Sequence, residues 1–183
     1  MISESELNDT FHQIIEQHKR ILFKIARTYC QNEEDRQDLV QEMMIQIWKS
    51  LHRYNNAFAI TTWLYRICLN IAISFYRKSA TRKHLNIPLV EELNSISIEE
   101  NNEKQEQLRL LEKFIYELND LDKALMLLYL EDKSYSEISE IMGLSVSNVG
   151  TKLGRIKEKL KKLFTIQSIK NERKRIKIAL AIG

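Results

Sequence analysis

The stretch Ser134-Tyr135-Ser136-Glu137-Ile138-Ser139-Glu140-Ile141-Met142-Gly143-Leu144-Ser145 holds the local signals that decide the fold. Ser134 and Glu137 have the spacing of a capping box, in which the side chain of each residue accepts a hydrogen bond from the backbone N–H of the other. Gly143 can take the left-handed conformation that ends a helix, and Ser145 can cap the helix that follows. A short capped helix, a glycine turn and a longer helix together predict a helix-turn-helix.

Apolar residues on both sides of this stretch recur at the three- and four-residue steps of a helix face. The second helix of the motif carries the stripe Val149, Leu153, Ile156, Leu160 and Leu163. Two helices are predicted before the motif. One begins at Asp120, and the other begins near Lys104 with an apolar side made of Leu108, Leu111, Ile115 and Leu118.

Three more helices are predicted in the first half of the chain. The first runs from about Thr10 to Cys30, with Asn8 or Asp9 as its cap. The second carries the apolar residues Leu39, Val40, Met43, Met44, Ile47, Trp48 and Leu51. The third opens at Thr61 or Thr62 and has a buried side made of Leu64, Ile67, Cys68, Ile71 and Phe75. Since the chain has only four glycines and one proline, hairpin turns have little support and the predicted fold class is all-α.

The helical periodicity fails between residues 83 and 103, where Pro88 and several acidic residues stand. This composition predicts a flexible acidic linker, or a plain solvated tether. The chain then divides into two small helical domains, at 1–82 and 104–164, with a basic tail at 165–183. The second of these domains contains the helix-turn-helix.

Charge is distributed unevenly along the chain, although the net charge is only +3. Residues 150–183 contain 11 basic and 2 acidic side chains, whereas residues 83–149 contain 6 and 14. A basic C-terminal segment favours a polyanionic partner such as nucleic acid, because Lys and Arg release the counterions condensed on phosphates. A solvated helix face followed by a basic tail would give the same charges.

The composition gives little support to an enzyme, a metal site or a membrane protein. The two cysteines lie far apart, the four histidines lack metal-ligand spacing and no glycine-rich phosphate loop occurs. No apolar run approaches the roughly 20 residues of a membrane span, and no signal peptide opens the chain. We therefore expect a cytoplasmic protein that is not an enzyme, needs no cofactor and does not insert into membranes.

The second helix of the predicted motif supplies candidate DNA contacts. In a helix-turn-helix this helix enters the major groove with its N-terminal end and its outward face. Here those positions carry polar and cationic side chains suited to base edges and phosphates, namely Ser145, Ser147, Asn148, Thr151, Lys152, Arg155 and Lys159. A lysine-rich helix exposed for solubility is the alternative interpretation.

The third predicted helix also has two contrasting faces. Its outward sector contains Trp63, Arg66, Asn70, Ser74 and Arg77, and Lys78 follows. An aromatic ring followed by cations and an amide suits a DNA strand that is being unstacked, although Trp63 also fits a core position. The preceding loop has Arg53, Tyr54, Asn55, Asn56 and Phe58, which could hold an extruded base or form an ordinary turn.

A polar stripe with one apolar member lies on the second predicted helix. Asp38, Gln41, Glu42 and Ile45 are spaced at i, i+3, i+4 and i+7, so they share one face. That arrangement suits docking onto a helix of a partner protein.

Several of these segments resemble the sigma-70 family of RNA polymerase sigma factors. The segments Asp35–Glu42, Ile47-Trp48, Thr62–Ile67 and Asn70–Ile73 resemble the family's polymerase-binding and promoter-melting helices. Tyr135–Ser145, with Val149, Lys152 and Arg155 after it, resembles the family's C-terminal helix-turn-helix. The resemblance covers about residues 10–82 and 105–164 and lacks the middle domain of larger members, as in the extracytoplasmic-function group.

The resemblance implies roles for the candidate residues. Asp38, Gln41, Glu42 and Ile45 would dock on the clamp helices of the polymerase β′ subunit. The loop at 53–61 and the third helix would recognise and open the −10 element, and the last helix would read the −35 element. The implied partners are bacterial core RNA polymerase, through its β′ clamp helices and β flap, promoter DNA, and an anti-sigma factor or a recruiting protein. A helix-turn-helix regulator that never contacts polymerase is the alternative, but it leaves the outward face of the third helix unexplained.

The chain departs from the family pattern mainly in the last helix. Asn148, Gly150 and Lys152 replace a threonine, a lysine and an arginine, and Gly154 replaces a larger polar residue. Ser74 and Asn119 replace an acidic residue and a proline elsewhere. Each helical glycine costs roughly 1 kcal/mol relative to alanine, and lysine lacks the bidentate fork of arginine. These changes suggest the hypothesis that promoter choice depends on −10 contacts or on a recruiting protein; strong −35 base preference without any helper would refute it.

Overall fold

The computed structural model describes residues 4–55, 57–85 and 103–182, and this part of the chain contains seven α-helices and no strand. The all-α prediction is confirmed. The predicted flexible linker lies mostly at 86–102, outside the described residues. The helices are α1 Glu4–Tyr29, α2 Glu33–Leu51, α3 Ile60–Leu85, α4 Glu103–Glu117, α5 Asp120–Leu130, α6 Tyr135–Met142 and α7 Val146–Ile182.

The N-terminal domain is built from α1, α2 and α3, which all contact one another. Leu22, Ile25, Leu39, Met43 and Leu64 are among its fully buried side chains. The periodicity therefore predicted the packing of α1 and α2 correctly.

The predicted beginning of α1 is wrong. The helix begins at Glu4, so Asn8 and Asp9 lie inside it and cap nothing. Thr10 donates from its Oγ1 to the Glu6 carbonyl oxygen 2.7 Å away, which accommodates its hydroxyl within the helix. Leu7 is half-buried one turn before the first predicted apolar position, which extends the packed face upstream.

The buried face of α3 also differs from the predicted one. Ile67, Ile71 and Phe75 are only half-buried. The predicted Leu64 and Cys68 are fully buried, and Tyr65, Leu69 and Ala72, which were not predicted, are buried with them. This helix contacts α5 and α6 as well as α1 and α2, so a second set of neighbours decides which residues are covered.

Two details of α4 and α5 depart from expectation. Leu108 was predicted to lie on the buried side of α4 but is 58% exposed. Asn119, which stands where the family pattern has proline, is the N-cap of α5, since its side chain accepts from the Asp122 backbone N–H at 2.9 Å. An asparagine is among the best N-cap residues, so this departure from the pattern preserves the helix start.

The predicted helix-turn-helix is confirmed in its local geometry. Ser134 Oγ accepts from the Glu137 N–H at 3.2 Å, and Glu137 Oε2 accepts from the Ser134 N–H at 2.9 Å. Gly143 is left-handed at φ 66°, and Ser145 Oγ accepts from the Asn148 N–H at 3.2 Å. The predicted stripe is buried at Val149, Leu153, Ile156 and Leu160 and half-buried at Leu163.

The basic tail predicted at 165–183 does not begin as a separate segment. The helix that follows the glycine turn continues without a break from Val146 to Ile182.

Removing the capping hydroxyl of α6 by Ser134→Ala is expected to destabilise the protein by about 1 kcal/mol. Hydrogen bonding to the Ser134 backbone and to Lys133 lowers the pKa of Glu137 to about 2, so the ionised Glu137 stabilises the folded state in full above the ordinary glutamate value of 4.5. This Glu137 contribution should fade as the pH falls from 4.5 towards 2 in the wild type and in Ser134→Ala alike, because the variant keeps the backbone N–H of residue 134. Urea denaturation of both proteins at neutral and acidic pH measures the two effects.

Ser136→Ala is the matched control, because Ser136 is an exposed serine of the same helix that plays no part in the box. An equal loss of stability in both variants would contradict the assignment of the cap.

The two domains pack together through one continuous core. The buried residues of the N-terminal and C-terminal domains belong to a single cluster of apolar contacts. Tyr29 of α1 donates from its hydroxyl to the Asp120 carbonyl oxygen at 2.6 Å, and burial raises its pKa well above the usual tyrosine value. Lys24 of α1 pairs with Glu131, the C-cap residue of α5.

Candidate nucleic-acid interface

The first candidate surface lies on the N-terminal part of α7. Ser145, which caps the helix, leaves its hydrogen free to donate elsewhere, because its Oγ only accepts from the Asn148 N–H. Thr151 donates to the Ser147 carbonyl oxygen at 3.0 Å. The predicted DNA-contacting side chains are all exposed except Lys152, which is half-buried: Ser145, Ser147, Asn148, Thr151, Arg155 and Lys159. The structure thus groups them on one accessible helix face, as groove binding requires.

The two glycines of α7 stand in different surroundings. The ring of Tyr135 lies 3.5 Å from where a Cβ on Gly150 would be, which is ordinary contact distance. Nothing lies within 4 Å of the corresponding point at Gly154. Neither position needs glycine for a turn, so each glycine simply leaves the candidate DNA-binding helix with one side chain fewer.

One exposed apolar residue at the start of α7 was missed in the sequence. Val146 is 48% exposed and lies between Ser145 and Ser147. An apolar group at this end of a recognition helix can contact the methyl group of thymine. Its position directly after the cap residue was the signal that could have identified it.

Lys157 differs from the other lysines of α7. Its ammonium nitrogen lies 3.7 Å from the ring centre of Tyr129 and 5.9 Å from that of Tyr135. It also donates to the Tyr135 hydroxyl at 3.4 Å, and hydrogen bonding to Tyr129 is the main cause of its raised pKa. This lysine holds α7 against α5 and α6, which makes it a weaker candidate for phosphate contact than Lys159.

The second candidate surface combines the outward face of α3 with the loop before it. The rings of Tyr54 and Trp63 lie 5.0 Å apart, and Trp63 is half-buried against the core. Tyr54 donates to the Phe58 carbonyl oxygen at 2.9 Å, and Asn55 Oδ1 accepts from the Ala57 N–H at 3.2 Å. The loop is therefore held by its own polar groups.

The sequence predicts either a core position or a base-stacking position for Trp63, and its partial burial fits both. Phe58 is 39% exposed, and the Arg66 guanidinium carbon lies 5.2 Å from its ring centre. Arg53, Asn70 and Lys78 are exposed, whereas Asn56 lies outside the described residues. An exposed ring beside cations is an arrangement that can stack on an unpaired base.

The arginines of this surface have partners in the C-terminal domain. Arg66 donates to the Glu140 carbonyl oxygen of α6 at 2.9 Å. Arg77 forms an ion pair with Asp120 at the start of α5. The predicted DNA-opening face and the C-terminal domain are therefore in contact in this structure.

The predicted docking stripe of α2 is open to solvent. Asp38, Gln41 and Glu42 are exposed, and Ile45 is 51% exposed. An open groove of about 390 Å³ runs beside it between α2 and α3. Its lining includes Glu42, Gln46, Ser50, Ile67, Asn70, Ile71, Ser74, Phe75 and Lys78. The stripe and the groove meet at Glu42.

Neither a metal-binding cluster nor a membrane-spanning helix occurs in the described residues. No group of three or more His, Cys, Asp or Glu side chains there could hold a metal ion. Among the same residues, no helix combines the length and apolar character needed to cross a membrane. Burial raises the pKa of the Cys68 thiol to about 12, which keeps it protonated and unreactive.

Comparison with known proteins agrees with this geometry. Residues 14–82 match the model for sigma-70 region 2, and residues 108–160 match that for sigma-70 region 4. The chain is 28% identical to the RNA polymerase sigma factor YlaC of Bacillus subtilis, with 90% of this chain and 95% of that protein covered. It is 24% identical to the ECF RNA polymerase sigma factor SigM of the same bacterium, with 85% of this chain and 95% of that protein covered.

A solved structure also shares the fold. The sigma factor RpoE from Bartonella quintana, crystallised with the anti-sigma factor NepR, superposes with a TM-score of 0.67 at 19% identity. That superposition covers 86% of this chain and 98% of the other. Two family models in the expected order, which together match more than half of the chain, establish the relationship. The chain therefore belongs to the sigma-70 family of RNA polymerase sigma factors, in its extracytoplasmic-function group.

Proposed function

We propose that this chain brings bacterial core RNA polymerase to promoters and opens the −10 element there. Asp38, Gln41, Glu42 and Ile45 would dock on the β′ clamp helices, since they form an exposed mixed stripe on one face of α2. The exposed start of α7 would read the −35 element. The chain would act in the cytoplasm, where polymerase works, as an initiation factor and not as an enzyme.

One observation carries the proposal. A single chain presents a helix-turn-helix surface on α7 and, separately, a surface of α3 and its preceding loop where Phe58, Trp63 and Arg66 combine rings and a cation. A helix-turn-helix regulator needs only the first surface. A protein that also separates strands needs the second, because an unpaired base must be stacked and its phosphates neutralised.

The proposal is tested by run-off transcription with purified core polymerase on fragmented genomic DNA. We expect transcripts that start at discrete positions and appear only when the chain is added. Pull-down of core polymerase runs in parallel and separates the alternative regulator, which would bind DNA but not polymerase. Failure to bind polymerase, or binding without initiation on any fragment, would contradict the proposal.

A further inference from the structure

One side of the recognition helix α7 is left without a side chain where it faces the start of α6. Two ring carbons of Tyr135, the first residue of α6, lie 3.5 Å and 3.7 Å from the point where a Cβ on Gly150 would stand. Val146 precedes Gly150 by four residues, so the two positions share one face of α7. Val146, Gly150 and the Tyr135 ring together form a shallow depression, called the Gly150 notch below.

Both side chains of the Gly150 notch are apolar and reach solvent. Val146 is 48% exposed and Tyr135 is 38% exposed. A single exposed apolar residue is ordinary on a protein surface, but here two of them flank a position that has no side chain. The notch therefore offers space and apolar contact to a small apolar group on a binding partner.

The walls of the notch are held in position. Lys157 donates to the Tyr135 hydroxyl at 3.4 Å, and its ammonium nitrogen lies 3.7 Å from the ring centre of Tyr129. The polar tip of Tyr135 thus has a partner on α7, which leaves the ring carbons beside Gly150. Valine has one strongly preferred rotamer in a helix, so Val146 loses little side-chain freedom when a ligand contacts it.

The place of the notch on α7 indicates its ligand. The N-terminal end of a recognition helix is the part that enters the major groove, and Val146 is the first residue of α7. Thymine is the base that presents an apolar group there, its C5 methyl, whereas the other bases present hydrogen-bond donors and acceptors. A lysine at position 150, as in the family pattern, would extend across the notch.

We propose that the Gly150 notch binds the methyl group of one thymine in the −35 element, and that Val146 and Tyr135 thereby set the preference at that base pair. This rests on the proposed function, since it concerns the DNA contacts of the same helix. It also gives Gly150 a role in recognition. The glycine replaces a cation directed at phosphate with a surface that distinguishes one base.

The test measures how holoenzyme containing the full-length chain binds the −35 sequence selected from a randomised promoter library. Each thymine of that sequence, on either strand, is replaced singly by uracil, which lacks only the methyl group. We expect one replacement to weaken binding about 3- to 5-fold, as the burial of one methyl group predicts. The other replacements should leave the affinity within about twofold of the unmodified promoter.

Val146→Ala identifies the protein side of this contact. On the thymine promoter it should weaken binding by a similar factor, and on the uracil promoter it should cause no further loss, because both changes remove the same interaction. Leu130→Ala is the matched control, since Leu130 is an apolar residue 45% exposed at the end of α5. This control should keep the full difference between thymine and uracil.

Gly150→Lys tests the notch itself. The lysine should abolish the difference between thymine and uracil while raising the affinity for all sequences and steepening its salt dependence. Gly154→Lys adds the same charge one turn further along, where nothing lies within 4 Å of the added Cβ, and should preserve the difference. Circular dichroism checks that every variant is folded.

A selected −35 element without thymine, or one in which no uracil replacement weakens binding, would overturn the proposal. A full difference between thymine and uracil in Val146→Ala or Gly150→Lys would overturn it as well. These results are separate from the proposed function, which the run-off assay of the wild-type chain tests. Initiation by the wild type without any response to the thymine methyl would remove the notch alone, whereas absence of initiation would remove both.

Discussion

Glu42→Lys is expected to lower the affinity of the chain for core RNA polymerase by about 30-fold or more. Glu42 is exposed in the centre of the α2 stripe and also lines the groove beside α3. If the stripe docks on a cationic partner surface, the reversal turns an attraction into a contact between like charges. Such a contact costs several kcal/mol, and about 2 kcal/mol already corresponds to a 30-fold change.

The measurement is competition binding to purified core polymerase with a labelled wild-type chain. Asp38→Lys combined with Glu42→Lys should weaken binding further. Glu117→Lys is the matched control, since it makes the same chemical change at an exposed helical position of the C-terminal domain. Equal losses in Glu42→Lys and Glu117→Lys would show a general charge effect and would exclude α2 as the docking surface.

Local signals predicted the helix-turn-helix down to individual hydrogen bonds. The capping box at Ser134 and Glu137 and the left-handed Gly143 depend on residues at most a few positions apart. Such contacts form from neighbouring residues whatever the rest of the chain does. The exposed stripe on α2 was predictable for the same reason, because helical spacing alone places its four residues on one face.

The buried face of α3 could not be predicted from such local signals. Apolar residues occur around most of this helix, including Leu64, Tyr65, Ile67 and Leu69, so its periodicity does not select one buried face. Besides α1 and α2, α3 contacts α5 and α6, which lie far along the chain and cannot be placed from its own periodicity. The prediction that Leu108 is buried was also wrong, since helical spacing does not show whether a neighbouring element covers the first turns of a helix.

The packing of the two domains against each other could not be predicted from the sequence. Lysine is among the residues least often buried, so nothing in the sequence predicts the complete burial of Lys123. Its ammonium group lies within cation–π distance of Tyr29, Tyr76 and Tyr116 on three other helices, and only the tertiary fold brings these rings together. The candidate DNA-contacting residues of α3 were predictable as a set, but their engagement by the C-terminal domain was not.

The second large effect is expected on the recognition helix, where Arg155→Ala and Lys159→Ala should weaken promoter binding in different ways. Both side chains are exposed on α7. Arginine can pair with both acceptors of a guanine edge, so loss of Arg155 should cost about 1–3 kcal/mol on the preferred −35 sequence and relax the preference at one base. Lys159 lies a full turn further from the helix start and is expected to contact phosphate.

Loss of a phosphate contact weakens binding about equally on all sequences and lowers the slope of log affinity against log salt by about 1. Holoenzyme assembled with each variant is therefore compared on a promoter library with a randomised −35 element, at several salt concentrations. Lys113→Ala, which removes an exposed lysine from α4, is the control for net charge.

The same library decides how much the recognition helix contributes to promoter choice. With no side chain at Gly150 or Gly154, the remaining exposed positions from Ser147 to Arg155 must provide all base contacts of that face. If they suffice, the wild-type holoenzyme shows a sharp −35 preference that Arg155→Ala relaxes at one position. If they do not, the wild-type preference is already flat at −35, Arg155→Ala behaves like Lys159→Ala, and the assignment of Arg155 to a base edge is wrong.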